Sequence, residues 1–263
     1  MEVLFFLLRF VLTYADLVAV FLAFSLVTRL AEQRGRRLGL PKAPMADVSF
    51  WLGVGALVGG RFPFVLAHPE AYITNPLDVV RLNMGLSLYG AFGGAVVVGL
   101  WRARLHRLSF WQLGDAYAPF LPLGIGLYRS ACLLTGDCYG KLAPPPFGIV
   151  FPGVSQPRFP AELYEAAFAF GLVGLLWYLQ RRPRPPGTTL LAFFILYPLG
   201  RTLVDFARVD LGGAPLSSDQ IVSLVLASAS GMVLLWRLRS LTADGRADPG
   251  QPPIASGPAG RVS

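Results

Sequence analysis

The chain has 263 residues, 54% of them hydrophobic and 14% charged, with a formal net charge of +8. That balance excludes an ordinary soluble domain, which carries more charge, and a disordered chain, which carries less apolar surface. Most arginines stand in short segments between apolar runs, where membrane topology accounts for them, so no nucleic-acid partner is expected.

Apolar runs of bilayer-crossing length recur near residues 3–28, 48–67, 82–101, 116–135, 160–180, 188–207 and 219–237. They predict an all-α, polytopic membrane helix bundle with about seven transmembrane helices, forming one domain over 1–240. Glu2 stands where a signal peptide carries positive charge, so no cleavage is expected. Basic segments RLAEQRGRRLGLPK, RARLHR and RRPRPP follow the first, third and fifth runs, and Arg237 and Arg239 close the seventh. Their alternation puts the N-terminus outside and the C-terminus in the cytoplasm. The polar, Gly- and Pro-rich tail 241–263 reads as disordered. No internal repeat is visible. Cys132 and Cys138 give neither a disulfide framework nor metal spacing, and no cofactor is expected.

In this topology Arg61, Arg129 and Arg201 each lie at a similar depth in spans running the same way, roughly 20 Å from the cytoplasmic edge. Tyr14 and Tyr89 reach the same layer from spans running the other way, and Asp205 follows Arg201 by one turn, with Arg208 behind it. An arginine at a helix centre costs about 2.5–3.5 kcal/mol to insert, so these side chains are expected to face the bundle interior. One reading is structural pairing, Arg201 with Asp205 and Arg61 with a carbonyl. The other is an anion site, because guanidinium forks match phosphate oxygens. A phosphate held there and open to lipid belongs to a phospholipid head group. His68 and His106 fall outside this layer and read as solvated, and Gly93 and Gly94 as sites of close helix approach.

Several stretches resemble one family. YRSACLLTGDCYG keeps Arg129, Gly136 and Gly140 in register with the pattern Gly-Arg-x-Gly-Asn-Phe-x-Asn-Gly-Glu and its following Gly, with Asp137 in place of the Glu. GGR at 59–61 is similar to Gly-Ala-Arg. NPLDVVRLNMGLSLYGAFGG resembles the run into a His-Gly-Gly motif, with Tyr89 in place of the His. RFPAELYEA is similar to His-Pro-x-Gln-Leu-Tyr-Glu, with Glu162 at the Gln and Glu165 at the Glu. YPLGRTLVDFARVD resembles Tyr-Gly-x-x-Arg-x-x-x-Glu-x-x-Arg, which puts Arg201 on the essential arginine and Asp205 on the Glu. SSDQIVSL and LTYADL, the latter carrying Tyr14, are similar to two further elements. Together these resemble the prolipoprotein diacylglyceryl transferases, seven-span enzymes of the bacterial inner membrane.

The resemblance implies transfer of the diacylglyceryl group of phosphatidylglycerol to the lipobox cysteine of a prolipoprotein signal peptide, with release of glycerol phosphate. It implies phosphatidylglycerol binding by Arg61, Arg129, Asp137, Gly140, Arg201, Asp205, Arg208 and Tyr14. Arg129 and Arg201 suit stabilisation of the leaving phosphate. The base is open: Tyr89 is one candidate, though a phenol's reference pKa of about 10 makes it a poor base at neutral pH unless the arginines favour its phenolate, Glu165 is a second, and water near the positive site is a third. The alternative is a non-catalytic member that binds anionic phospholipid or lipoprotein precursors. An anion transporter is a weaker reading, since neither inverted repeats nor matching broken helices appear.

Overall fold

A computed structural model describes residues 15–67, 69–73, 76, 79, 87–135, 139–151, 154–208 and 215–244. The helices are α1 (Ala15–Arg37), α2 (Lys42–Ala67), the single turn α3 (Glu70–Ile73), α4 (Leu88–Leu105), α5 (Phe110–Tyr117), α6 (Leu121–Thr135), α7 (Ala161–Leu179), α8 (Thr188–Arg208) and α9 (Ser218–Asp244). Lys42–Pro63, Ala161–Leu179, Thr188–Phe206 and Ser218–Ser240 are long and apolar enough to cross a membrane. The remaining long helices pack among them, and the whole is an all-α, multi-pass membrane bundle.

Several boundaries differ from the hydropathy reading; α2 starts at Lys42 rather than near 48, and α9 runs on to Asp244, into the segment expected to be a disordered tail. The basic segment after the first run is mostly helix, since α1 continues to Arg37. Likewise α4 continues through Arg102 and Arg104. Arginine is a good helix former, and cations in a last turn complement the negative end of the helix dipole. The fourth run is two helices, because Pro119 interrupts the chain between α5 and α6 and supplies no backbone N–H.

Local chemistry fixes the helix starts. Ser87 caps α4 by accepting from the Gly90 amide at 3.2 Å. At α9, Ser217 Oγ accepts from the Gln220 amide at 3.2 Å while Gln220 Oε1 accepts from the Ser217 amide at 2.9 Å, a reciprocal capping box. Asp115 serves the start of α8 from a distance: its Oδ2 accepts from the Gly187 amide at 2.6 Å and its Oδ1 from the Leu190 amide at 2.9 Å.

One apolar cluster gathers Val27, Met45, Val48, Leu113 and Phe120 between α1, α2 and α5. A second gathers Ile125, Ala169, Leu172, Phe193 and Tyr197 between α6, α7 and α8. Phe193 and Tyr197 stack at 5.5 Å between centroids, with Phe92 of α4 edge-on to Phe193. Helix α4 lies closest to α2, where Gly55 and Gly59 meet Gly90 and Gly94 backbone to backbone. A Cβ on Gly94 would strike the Gly55 carbonyl, whereas one on Gly93 would meet open space. The close approach therefore belongs to Gly94 and not to Gly93.

His106 is not simply solvated. Its Nε2 lies 2.6 Å from Asp47 Oδ2, and Arg102 grips the same carboxylate through Nε at 3.0 Å and Nη2 at 2.6 Å. The Arg102 guanidinium also lies over the rings of Trp51 and Trp101, at 4.8 and 5.0 Å. This cluster ties α2 to α4 at the end where α2 starts.

Gly94→Ala should destabilise the protein by about 1–3 kcal/mol, because α2 and α4 must separate. Gly93→Ala should be neutral or stabilising by up to ~1 kcal/mol, the helix-propensity gain. Unfolding in mixed detergent micelles reads both, and equal losses would contradict the assigned contact.

Candidate active site

The end of the bundle where α6 and α8 finish and α4, α7 and α9 begin holds a buried ionic network. Arg129 lies about two turns before the end of α6, and Arg201 about two turns before the end of α8. Glu162 and Glu165 sit in the first two turns of α7, where the positive end of the helix dipole favours carboxylates. Arg129 and Arg201 are 7% and 5% exposed, and Glu162 and Glu165 are 0% and 1% exposed.

Glu165 is the hub. Its Oε1 accepts from Arg201 Nη1 at 2.9 Å and from the Tyr197 hydroxyl at 2.7 Å. Its Oε2 lies 3.2 Å from Arg129 Nε, without hydrogen-bond alignment. Arg129 Nη1 donates to Glu162 Oε2 at 2.8 Å. Arg208 Nη2 approaches Glu162 Oε1 at 3.8 Å. Arg201 further approaches Asp205 at 3.8 Å, along its own helix, and Asp219 of α9 at 3.5 Å. Three helices thus share one chain of charges, and a fourth touches it.

Tyr89, at the start of α4, lies below the Arg201 guanidinium, 5.9 Å from ring centroid to Cζ. Its hydroxyl hydrogen-bonds Ser223 of α9, whose Oγ donates to the Asp219 carbonyl at 2.7 Å. Gly140 is buried, and its amide donates to the Phe159 carbonyl at 2.8 Å. The next amide, of Lys141, donates to the Arg208 carbonyl at 3.1 Å, so the α6–α7 connection is tied to the end of α8.

Of the residues singled out from sequence, Arg129, Arg201, Asp205, Arg208 and Glu165 meet in this network, and Tyr89 borders it. Arg61 is also buried but sits on the α2–α4 side, where its Nε donates to the Val79 carbonyl at 2.8 Å and its guanidinium lies 5.3 Å from the Tyr72 ring centroid. Tyr14, Asp137, Gly136, His68 and Cys138 lie outside the described residues. Glu162, Tyr197 and Asp219 join the network without having been singled out as site residues. Spacing carried two of these signals: Glu162 and Glu165 stand at i,i+3, and Tyr197 and Arg201 at i,i+4. Among the described residues no group of three or more His, Cys, Asp or Glu side chains could hold a metal.

The network is incompletely satisfied from within. Arg129 Nε, Arg201 Nε, Glu162 Oε1, Glu165 Oε2 and Asp205 Oδ2 are buried and make no hydrogen bond to another protein atom. Two are donors and three are acceptors, and both donors face acceptors of the set: Arg129 Nε lies 3.2 Å from Glu165 Oε2, and Arg201 Nε 3.8 Å from Asp205 Oδ2.

Fold and site define a polytopic helical membrane protein with a buried arginine–carboxylate network at one end. A family model for prolipoprotein diacylglyceryl transferase matches residues 4–236. A phosphatidylglycerol–prolipoprotein diacylglyceryl transferase of Geobacter sulfurreducens is 35% identical over 210 residues, covering 76% of this chain and 80% of that protein. The enzyme of that name from Pseudomonas fluorescens is 35% identical over 208 residues, covering 74% and 76%. That of Pseudomonas paraeruginosa is 31% identical over 222 residues, covering 80% and 84%. The chain belongs to the prolipoprotein diacylglyceryl transferase family.

Glu165→Ala should destabilise the bundle by about 3–5 kcal/mol, since it leaves two buried guanidiniums without their shared carboxylate. Tyr197→Phe keeps the packing and should cost only about 0.5–1.5 kcal/mol. Denaturant unfolding in detergent separates the two; equal effects would remove Glu165 from the hub.

Proposed function

We propose that this protein transfers the diacylglyceryl group of phosphatidylglycerol to the lipobox cysteine thiol of a prolipoprotein. The relatives are named for this reaction. The observation that carries the reading here is the pair Arg129 and Arg201, buried together on the one carboxylate of Glu165.

In the proposed reaction the thiolate attacks the glyceryl carbon bonded to the phosphate oxygen. A C–S thioether forms, the C–O bond breaks, and the electron pair leaves on the phosphate of glycerol phosphate. Arg129 and Arg201 stabilise that growing charge; fixed cations in a water-poor site require no reorganisation as it develops. The unbonded carboxylate oxygens of Glu162 and Asp205 accept from the glycerol hydroxyls. Glu165 has its oxygens against Arg129, Arg201 and Tyr197, so its role is positioning. Arg208 extends the positive surface and Gly140 lets the backbone pass close to the head group. Asp137 and Tyr14 complete the lipid contacts, with Arg61 steering the head group from the α2–α4 side. Tyr89, beside Arg201 and bordering an apolar groove between α4, α8 and α9, takes the thiol proton in its phenolate form and becomes the phenol. The alternation of arginine-rich segments supports a topology with the N-terminus and the site on the outer side and the C-terminus in the cytoplasm. The membrane domain is assigned to 1–240, with α9 running on to Asp244 at the start of the polar tail.

Purified protein incubated with phosphatidylglycerol and a lipobox peptide should give a thioether-linked diacylglyceryl peptide by mass spectrometry, and a Cys→Ser peptide should give none. No product above a heat-killed control, with the peptide or lipid still bound, would leave a binding protein rather than an enzyme. Arg201→Ala should lower turnover by about 10²-fold or more. Tyr89→Phe should lower the rate and alter its pH profile; an unchanged profile would show the hydroxyl to be dispensable.

A further inference from the structure

The arginines of the buried network all have carboxylates within reach. The opposite end of the bundle is different. There a cavity of about 220 Å³ opens between the end of α1, helix α5 and the α7–α8 turn. Arg34, Arg182 and Arg184 line it, together with Gln112 and Gln180. Asp115 is the one acid in the described lining.

That acid is already committed. Both its carboxylate oxygens accept backbone amides at the start of α8, from Gly187 at 2.6 Å and Leu190 at 2.9 Å. Its own carbonyl accepts from Arg34 Nε at 3.4 Å and from Gln180 Nε2 at 3.3 Å. Among the described residues, Arg34, Arg182 and Arg184 form no ion pair with any carboxylate. Two further points bear on a ligand. Arg34 is half-buried, so its charge is not simply a solvated surface group. Gln180 Oε1 is buried and accepts no hydrogen bond from the protein. The cavity therefore offers several guanidinium donors and one unused acceptor. Its volume far exceeds the roughly 30 Å³ share of one liquid water.

Guanidinium forks match phosphate oxygens, and a lone acceptor asks for a donor on the same ligand. We propose that this cavity is a second anion site, at the end of the bundle away from the ionic network, for a phosphate group that carries a hydroxyl or P–OH donor. A phospholipid head group of the adjacent leaflet and a soluble phosphate share that chemistry. Positive charge that served topology alone would have no need to converge from α1 and the α7–α8 turn on one cavity with a buried acceptor.

The test uses the full-length protein in detergent. Inorganic phosphate is titrated against sodium chloride of equal ionic strength while thermal unfolding is followed. Phosphate should raise the transition temperature saturably where chloride does not. The double variant Arg182→Gln/Arg184→Gln alters two exposed side chains away from the ionic network and should fold normally. It should weaken the apparent phosphate affinity about tenfold or more, the scale of one lost charge-assisted hydrogen bond. Arg36→Gln/Arg37→Gln removes equal charge from the exposed end of α1, outside the cavity, and should leave that affinity within about twofold. Gln180→Leu should weaken it with the charge intact. Equal responses to chloride and phosphate, or equal losses in the two double variants, would overturn the site.

Native mass spectrometry from nanodiscs containing phosphatidic acid then separates the sources. Retained phosphatidic acid that falls in Arg182→Gln/Arg184→Gln but not in Arg36→Gln/Arg37→Gln identifies a head group. Unchanged lipid retention with a lost phosphate response identifies a soluble ligand.

Discussion

The contact of Arg129 and Arg201 with the single carboxylate of Glu165 is the constraint on which the rest of this bundle depends. Each partner comes from a different helix, so the charge cluster fixes how α6, α7 and α8 stand at that end. Burying any one of these ions alone would cost several kcal/mol, and their mutual attraction repays that only when geometry and hydrogen bonding are good. Part of the compensation is built into the helices. Glu162, Glu165 and Asp219 all occupy early turns, where backbone N–H groups point toward them. Tyr197 adds a hydroxyl from one turn before Arg201, and its ring is held by the stack on Phe193. The apolar packing of α8 thereby sets the position of a polar hub.

Among the described residues, arginines do several different physical jobs. At the network they are buried and face carboxylates. Arg102 is held by Asp47 and two indole rings, a clamp between α2 and α4 whose partners are all internal. Around the α7–α8 turn they line a cavity whose acid has been spent on capping a helix. Net charge reports none of these differences. What distinguishes them is where the nearest carboxylate directs its oxygens, and that depends on helix starts such as the one Asp115 serves from α5.

Much of the fold was legible because hydropathy and length are sufficient to mark membrane helices. The inward position of Arg129 and Arg201 was legible for the same reason, since lipid penalises the alternative. Less was legible at helix ends. A basic segment of RLAEQRGRR type looks like a loop by hydropathy but is good helix by propensity, and α1 follows propensity. Which of two neighbouring glycines makes a close contact depends on helix rotation, and Gly93 and Gly94 differ by about 100° around α4. Arg61 shares a depth with the other two arginines but not a helix neighbourhood; depth follows from counting residues along a span, whereas neighbourhood requires knowing which helices pack together. His106 was missed because its partner, Asp47, lies on another helix. Glu162 was visible as a residue, yet its burial against Arg129 needed the register of α7 against α6.

The composition of the network also bears on what it can recognise. Arg129, Arg201 and Arg208 face Glu162, Glu165, Asp205 and Asp219, so the cluster is not a simple trap for negative charge. A bare anion arriving there would meet carboxylates as well as guanidiniums, and like charges in a low-dielectric site repel strongly. A head group that pairs a phosphate with hydroxyls meets different terms. On the function proposed above, its oxygens would meet Arg129 and Arg201, while its hydroxyls would donate to Glu162 Oε1 and Asp205 Oδ2. Carboxylates that would repel a plain phosphate become acceptors for a polyol phosphate. On the proposed function, discrimination would arise from hydrogen-bond complementarity, where a missing hydroxyl leaves a buried acceptor unpaired, rather than from net charge.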